Sequence, residues 1–199
     1  MTASSSPVAQ YLRWLKAAVR KVRDDVANQQ FRQAWWAKGV SISPLALVRI
    51  GKYCNLEIGA GSIIGPYSIL DLQNDPLDAV PVTSVIKIGQ RTAINEFNNL
   101  RASGGEIVIG NDCLIAEYVS IIATNYSTAR DIPMREQMTD PRRTRVQIGD
   151  DVWIGTHAVI LPGAIIGTGS VIGAGAVVTS QIPDYAIAVG VPAKVMRSR

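Results

Sequence analysis

From Ile148 onward the chain reads IGDDVW, IGTHAV, ILPGAI, IGTGSV, IGAGAV, VTSQIP. An aliphatic residue returns at every sixth position, at Ile148, Ile154, Ile160, Ile166, Ile172 and Val178. Glycine follows at Gly149, Gly155, Gly167 and Gly173. A period of six belongs neither to a helix nor to an alternating strand. It fits a coil with flat sides, in which each hexad makes one short strand and a corner. The aliphatic points inward and the small residue lets the chain turn. Such hexads predict an all-β chain, a parallel β-helix whose neighbouring coils bury one another's apolar faces.

The signature returns upstream in broken phase. Ile50-Gly51 begins the array, Ile58-Gly59 leads to Ile64-Gly65 and Leu70, Ile88-Gly89 to Ile94 and Leu100, and Ile109-Gly110 to Ile115 and Ile121. Phase slips need insertions. Residues 71–82 and 126–147 lack the period and are rich in Pro, Asp and Arg. Loops thrown out of a repetitive scaffold are where function concentrates. The repeat domain is therefore 41–199, preceded by an arm, 1–40.

The arm carries the charge. The 199 residues have a formal net charge of +4. Residues 1–40 hold seven cations (Arg13, Lys16, Arg20, Lys21, Arg23, Arg32, Lys38) against Asp24 and Asp25, a net +5. The remainder holds 13 basic and 14 acidic residues, a net −1. A near-neutral body argues against a nucleic-acid partner. Ser6-Pro7 predicts a helix start and Gly39 a stop. Tyr11, Leu15, Val19, Val22 and Val26 fall on one helical face, with Arg13, Lys16, Arg20 and Arg23 as a second stripe. Two readings stand. The helix caps the open coil or packs on a neighbouring subunit, or it is a basic amphipathic helix in peripheral contact with an anionic membrane surface.

Two cysteines, Cys54 and Cys113, exclude a disulfide scaffold and a Cys-rich zinc module. A single histidine, His157, excludes a three-His metal site and with it a hexapeptide carbonic anhydrase. No metal is expected. No secretory leader and no membrane-spanning run is apparent, so the expected compartment is the cytoplasm, with the inner membrane face as its margin.

VWIG at 152–155, ILPG at 160–163, IGAGAVVT at 172–179 and GVPAKVMR at 190–197 resemble the hexapeptide-repeat acyltransferases, most closely the maltose/galactoside and polysaccharide O-acetyltransferase group. The resemblance covers 148–199 closely, 85–147 recognisably and 42–84 loosely. It implies a left-handed β-helix assembled as a homotrimer. Acetyl-CoA would lie between two subunits, and a sugar or glycan acceptor would enter from the other end of that groove. It places Trp153 at the acetyl end of the donor. Thr156 and Ala174 would offer backbone groups to pantetheine, with Gly155 and Gly173 letting the arm approach. Thr179 and Ser180 fall near the nucleotide end, and Lys194 and Arg197 meet the phosphates. Asn98 and Asn99 match an acceptor-side stretch; corner-turn asparagines are the competing reading. Arg135, Arg142, Arg143 and Arg145 would hold an anion or be solvated.

The family's general base is a histidine in a context like IIATNHS. Here the row reads Ile121-Ile122-Ala123-Thr124-Asn125-Tyr126-Ser127, and Asn125 is taken to stand in its place. An amide can orient an acceptor but cannot take its proton. The acceptor is then an amine, or another group is the base (His157, Glu96, Glu117, Asp131 or Glu136). Otherwise a histidine has been substituted away, or the chain is a catalytically impaired CoA-binding homologue. His157 also fits a turn or subunit-interface histidine.

Overall fold

The computed structural model describes residues 7–73, 83–142 and 144–199. The chain winds into a three-sided prism, visiting three parallel sheets in turn. The first sheet stacks Ser41–Ile42, Ile63–Ile64, Ala93–Ile94, Leu114–Ile115, Trp153–Ile154, Val171–Ile172 and Ala186–Val189, and closes with Lys194–Ser198 running antiparallel. The second stacks Leu47–Ile50, Ile69–Leu72, Asn99–Arg101, Ser120–Ile122, Val159–Ile160 and Val177–Val178. The third stacks Asn55–Ile58, Val85–Ile88, Glu106–Ile109, Arg145–Ile148, Ile165–Ile166 and Gln181–Ile182. The coil is left-handed, the hand of the hexapeptide-repeat fold. It starts at Ser41, earlier than Ile50-Gly51 suggested.

The six-residue period becomes three columns of buried aliphatics. Ile64, Ile94, Ile115, Ile154 and Ile172 line the first sheet, and Leu70, Leu100, Ile121, Ile160 and Val178 the second. Ile88, Ile109, Ile148, Ile166 and Ile182 line the third. β-Branched side chains fit these short strands because their stiff χ1 suits a pleated, half-covered surface. Burying each side chain stabilises by about 1.5–3 kcal/mol.

The corners need separate satisfaction of their backbone groups. Buried hydroxyls and an amide do this from coil to coil. Ser62 Oγ donates to the Gly89 carbonyl and accepts from the Thr92 N–H, and Thr92 Oγ1 repeats the pattern with Gly110 and Cys113. The repeat glycines act differently from expectation. Gly155 has no left-handed φ; a Cβ there would lie 2.7 Å from the Ala174 nitrogen, so close approach of the next coil is what demands glycine. Left-handed corners fall elsewhere, at Gly163, Gly169 and Gly175 and at a column of non-glycine residues.

All excursions leave at one edge, where the second sheet passes to the third. One departs after Leu72 and returns at Val85; the larger runs from Ala123 to Thr144. Both boundaries differ from 71–82 and 126–147, because pairing with neighbouring coils extends strands over Asp71–Leu72 and Arg145–Gln147. Of the first excursion, 74–82 lies outside the described residues, as do Arg143 and the expected cap Ser6. The N-terminal helix spans Pro7–Trp36, and Gly39, at φ +77°, follows it as the stop.

Candidate functional site

A cleft of about 470 Å³ opens where the large excursion folds back on the second sheet. Asn99, Arg101, Ser103, Ile122, Thr124, Asn125, Tyr126 and Thr139 line it, with Asp71 and Gln73 at one end. The cleft is held by backbone and buried amide contacts. The Asn125 carbonyl accepts from the Asp140 N–H at 2.8 Å, and Tyr126 bridges Thr139. Gln137, 1% exposed, ties the excursion from inside: its Nε2 donates to the Ala129 and Ile132 carbonyls, each at 2.7 Å. Thr124 Oγ1 donates to the Ser103 carbonyl.

Asp71 is nearly buried and fully engaged. Its Oδ1 accepts the Gln73 N–H at 3.1 Å, and its Oδ2 lies 3.3 Å from Arg49 Nη1 and 4.0 Å from Arg101 Nη2. Polar uncharged side chains therefore make most of the wall, with one arginine–carboxylate cluster at its end. Donors and acceptors in this mix suit hydroxyl-rich ligands. Asp71, Gln73, Ser103, Thr124 and Thr139 were not singled out from sequence, because only the stacking of separate coils brings them together.

The two asparagines have different fates. Asn98 is 1% exposed; its Oδ1 accepts the Val119 N–H at 2.7 Å and its Nδ2 donates to the Asn95 carbonyl at 3.0 Å. Its amide is committed to the corner, the competing reading for this asparagine, and Asn98 does not line the cleft. Asn99, half-buried in the strand, lines the cleft. A register detail also matters. Laid on Ala123–Ser127, ATNHS puts the histidine against Tyr126, one residue past Asn125. Both side chains line the same cleft.

The expected donor-side residues lie in other places. Trp153 is 54% exposed on the outer face of the first sheet, in register with Leu114 and Val171, beside a hollow of about 310 Å³ reaching Arg199. Gly155, Thr156, His157, Gly173 and Ala174 sit at the edge between the first and second sheets. There Tyr67, Phe97, Tyr118 and His157, all at φ near +60°, stack with centroids 5.0, 4.9 and 4.9 Å apart. The His157 N–H donates to the Glu117 carbonyl, and its Nδ1 is hydrogen-bonded to Thr156 Oγ1 at 2.8 Å. His157 is thus a rung of a ladder. It stands across the second sheet from Asn125 and Tyr126, outside their cleft. Glu96 and Glu117 flank that ladder, and Asp131 and Glu136 lie on the excursion.

Thr179 and Ser180 follow Val177–Val178 on the cleft's own edge, two coils beyond Asn125, or roughly 10 Å. Lys194 and Arg197 are exposed on the closing antiparallel strand. Arg142 is occupied by Asp140 at 2.6 Å, and Arg145 pairs with Glu106 at 3.1 Å, so neither waits for an anion. Among the described residues no cluster of His, Cys, Asp and Glu could hold a metal ion.

Comparison with known proteins agrees with this architecture. Residues 145–180 match the bacterial transferase hexapeptide repeat. Nodulation protein L of Rhizobium meliloti is 37% identical over 139 residues, covering 70% of this chain and 68% of that protein. Galactoside O-acetyltransferase of Escherichia coli is 39% identical over 114 residues, 57% of this chain; the match spans only 54% of that enzyme. The solved N-acyltransferase AntD of Bacillus cereus, in complex with dTDP and 3-hydroxybutyryl-CoA, superposes with a TM-score of 0.64 at 23% identity, covering 81% of this chain and 81% of that one. That likeness is one of fold. With the six-residue columns, the inter-coil corners and these matches together, the chain belongs to the hexapeptide-repeat acyltransferase family.

Proposed function

We propose that this protein transfers an acetyl group from acetyl-CoA to a sugar or glycan intermediate, bound in the cleft beside Asn99, Asn125 and Tyr126. The observation that carries the reading is the cleft itself: a mostly polar, uncharged wall with one arginine–carboxylate cluster at its end, built by one excursion on a hexapeptide coil. Its relatives in sequence include an O-acetyltransferase of galactosides. In the reaction an acceptor oxygen or nitrogen attacks the thioester carbonyl. The new C–O or C–N bond forms, the C–S bond breaks, CoA leaves as the thiolate, and the acceptor's proton passes to a base. Asn125 and Asn99 orient the acceptor through hydrogen bonds.

The separation of the site residues favours assembly as a homotrimer. In one chain, Thr156, His157 and Ala174 lie on one edge and Asn125, Thr179 and Ser180 on another. A groove in which the first edge of one copy meets the second edge of the next would reunite them around one donor. Gly155 and Gly173 leave no side chain in the way, and Lys194 and Arg197 are exposed cations suited to phosphates. In such a groove His157, its Nδ1 held by Thr156 Oγ1, is the base candidate that the neighbouring copy can present. The workplace that fits is the cytoplasm, at the inner face of the membrane; no helix of the described residues is long and apolar enough to cross one.

A panel of sugar-hydroxyl and sugar-amine acceptors with acetyl-CoA tests the reading. Turnover with at least one acceptor is expected, together with loss on Asn99→Ala. Tyr126→His should raise hydroxyl transfer toward the ~10²–10⁴-fold that a general base supplies. CoA binding without turnover on any acceptor would instead identify a binding homologue.

A further inference from the structure

The N-terminal helix is fixed at one end only. Arg32 donates to the Ser43, Pro44 and Ala46 carbonyls, while half-buried Phe31 and Trp35 pack on the core. This end covers the first coil. Ahead of it, every residue from 10 to 30 is exposed except half-buried Ala18. That stretch is nevertheless apolar along one side: Tyr11, Leu12, Trp14, Leu15, Val19, Val22 and Val26 are 40–64% exposed.

Helical geometry decides whether the protein's own coil can cover this stripe. At 3.6 residues per turn, Leu15, Val22 and Val26 share one side of the axis, and Phe31 and Trp35 project roughly 180° away. The helix is continuous from Pro7 to Trp36, so the stripe faces away from the prism it is anchored to. Its partner lies outside the described residues of the coil.

We infer that this stripe seats on an anionic lipid surface. Arg13, Lys16, Arg20 and Arg23 line the polar side, with Lys21 near the stripe's edge, against Asp24 and Asp25 in the same stretch. This excess of cations sits on a body of net −1, so attraction to an anionic bilayer acts on the helix alone. Tyr11 and Trp14, stacked at 6.0 Å, bring aromatic bodies with polar tips, which suit the headgroup boundary. A helix-to-helix seam is the rival occupant: Leu12, Leu15, Val19, Val22 and Val26 keep its alternating spacing of three and four, ending at Gln29. Tyr11 and Trp14, 60% and 63% exposed, lie to one side of that seam and widen the apolar face toward the breadth that a lipid surface covers. The surface is independent of acyl transfer, and no donor or acceptor enters its test.

The full chain is sedimented with vesicles of phosphatidylglycerol or of phosphatidylcholine. Binding to the anionic vesicles is expected, weakened by salt, with little on the neutral ones. Val19→Asp with Val22→Asp should lower that binding at least tenfold with the β-sheet circular dichroism unchanged. Lys16→Ala with Arg20→Ala, which leaves the stripe intact, should weaken it by roughly fivefold per charge. Equal binding to both vesicle types, or full binding by the double aspartate variant, overturns the inference. So does a change in assembly mass on the aspartate substitutions with vesicle binding unaltered, which would make the stripe a contact between copies.

Discussion

Asn98 and Asn99 are adjacent and chemically alike, yet the coil turns one into its corner and the other toward the cleft. The difference is measurable. Asn98→Ala leaves the buried Val119 N–H without its acceptor, so unfolding stability should fall by about 1–3 kcal/mol in a denaturant titration. Asn99→Ala should leave stability within about 0.5 kcal/mol and lower kcat/KM for the acceptor instead. Sequence alone could not separate them, because which of two consecutive residues points inward depends on where the coil starts. Cys113 is a second case. Burial pushes its thiol pKa up, and its Sγ lies 3.1 Å from the Gly149 carbonyl. The neutral thiol is favoured in the fold, so its contribution to stability holds below the ordinary thiol pKa and is lost as pH rises through the raised value. Iodoacetamide at mildly alkaline pH should therefore label Cys54 well before Cys113, as peptide mapping would reveal.

At the scale of elements, the hexads were legible because every strand repeats the same inward aliphatic. The excursions were legible only as interruptions. Their ends are not legible, since pairing between coils far apart in sequence decides where a strand stops. The cleft is legible only in part: Asn99 and Asn125 stand out in the sequence, while Gln73, Ser103 and Thr139 carry no motif. Gln137 is the element's pivot. Gln137→Ala should speed proteolysis within residues 125–142 and lower kcat/KM, while the thermal midpoint of the coil moves little. The repeat glycines make a paired test. Gly155→Ala forces a Cβ to within 2.7 Å of backbone and should cost about 1–3 kcal/mol. At Gly175 the space is open and the cost is the left-handed φ of +68°, about 1 kcal/mol.

For the whole molecule, each coil touches only its neighbours, which makes stability nearly a sum along one axis. Ile154→Ala should cost about 2–5 kcal/mol. Combined with Ile64→Ala, three coils away, the effects should add to within about 0.5 kcal/mol, whereas Ile154 and Ile172, in register on adjacent coils, should couple. A double-mutant cycle in urea reads both. The exposed column Ile63, Leu114 and Trp153 belongs to this scale as well. If copies meet there, Leu114→Asp should convert a three-chain particle to single chains in light scattering and abolish transfer without unfolding the coil.

The regular stacking of coils also makes the prism a ruler. Height is available only in steps of about 4.8 Å, one per circuit of the three sheets. The gap between Asn125 in one circuit and Thr179 two circuits on is therefore quantised, and no side-chain change can tune it continuously. An added circuit of about 18 residues between them, three hexads, would keep the columns in phase while moving the two positions one step further apart. Such a chain should fold with a raised thermal midpoint and, if both positions serve one donor as proposed, lose transfer, so that the spacing of that proposed site is written in whole turns of the chain.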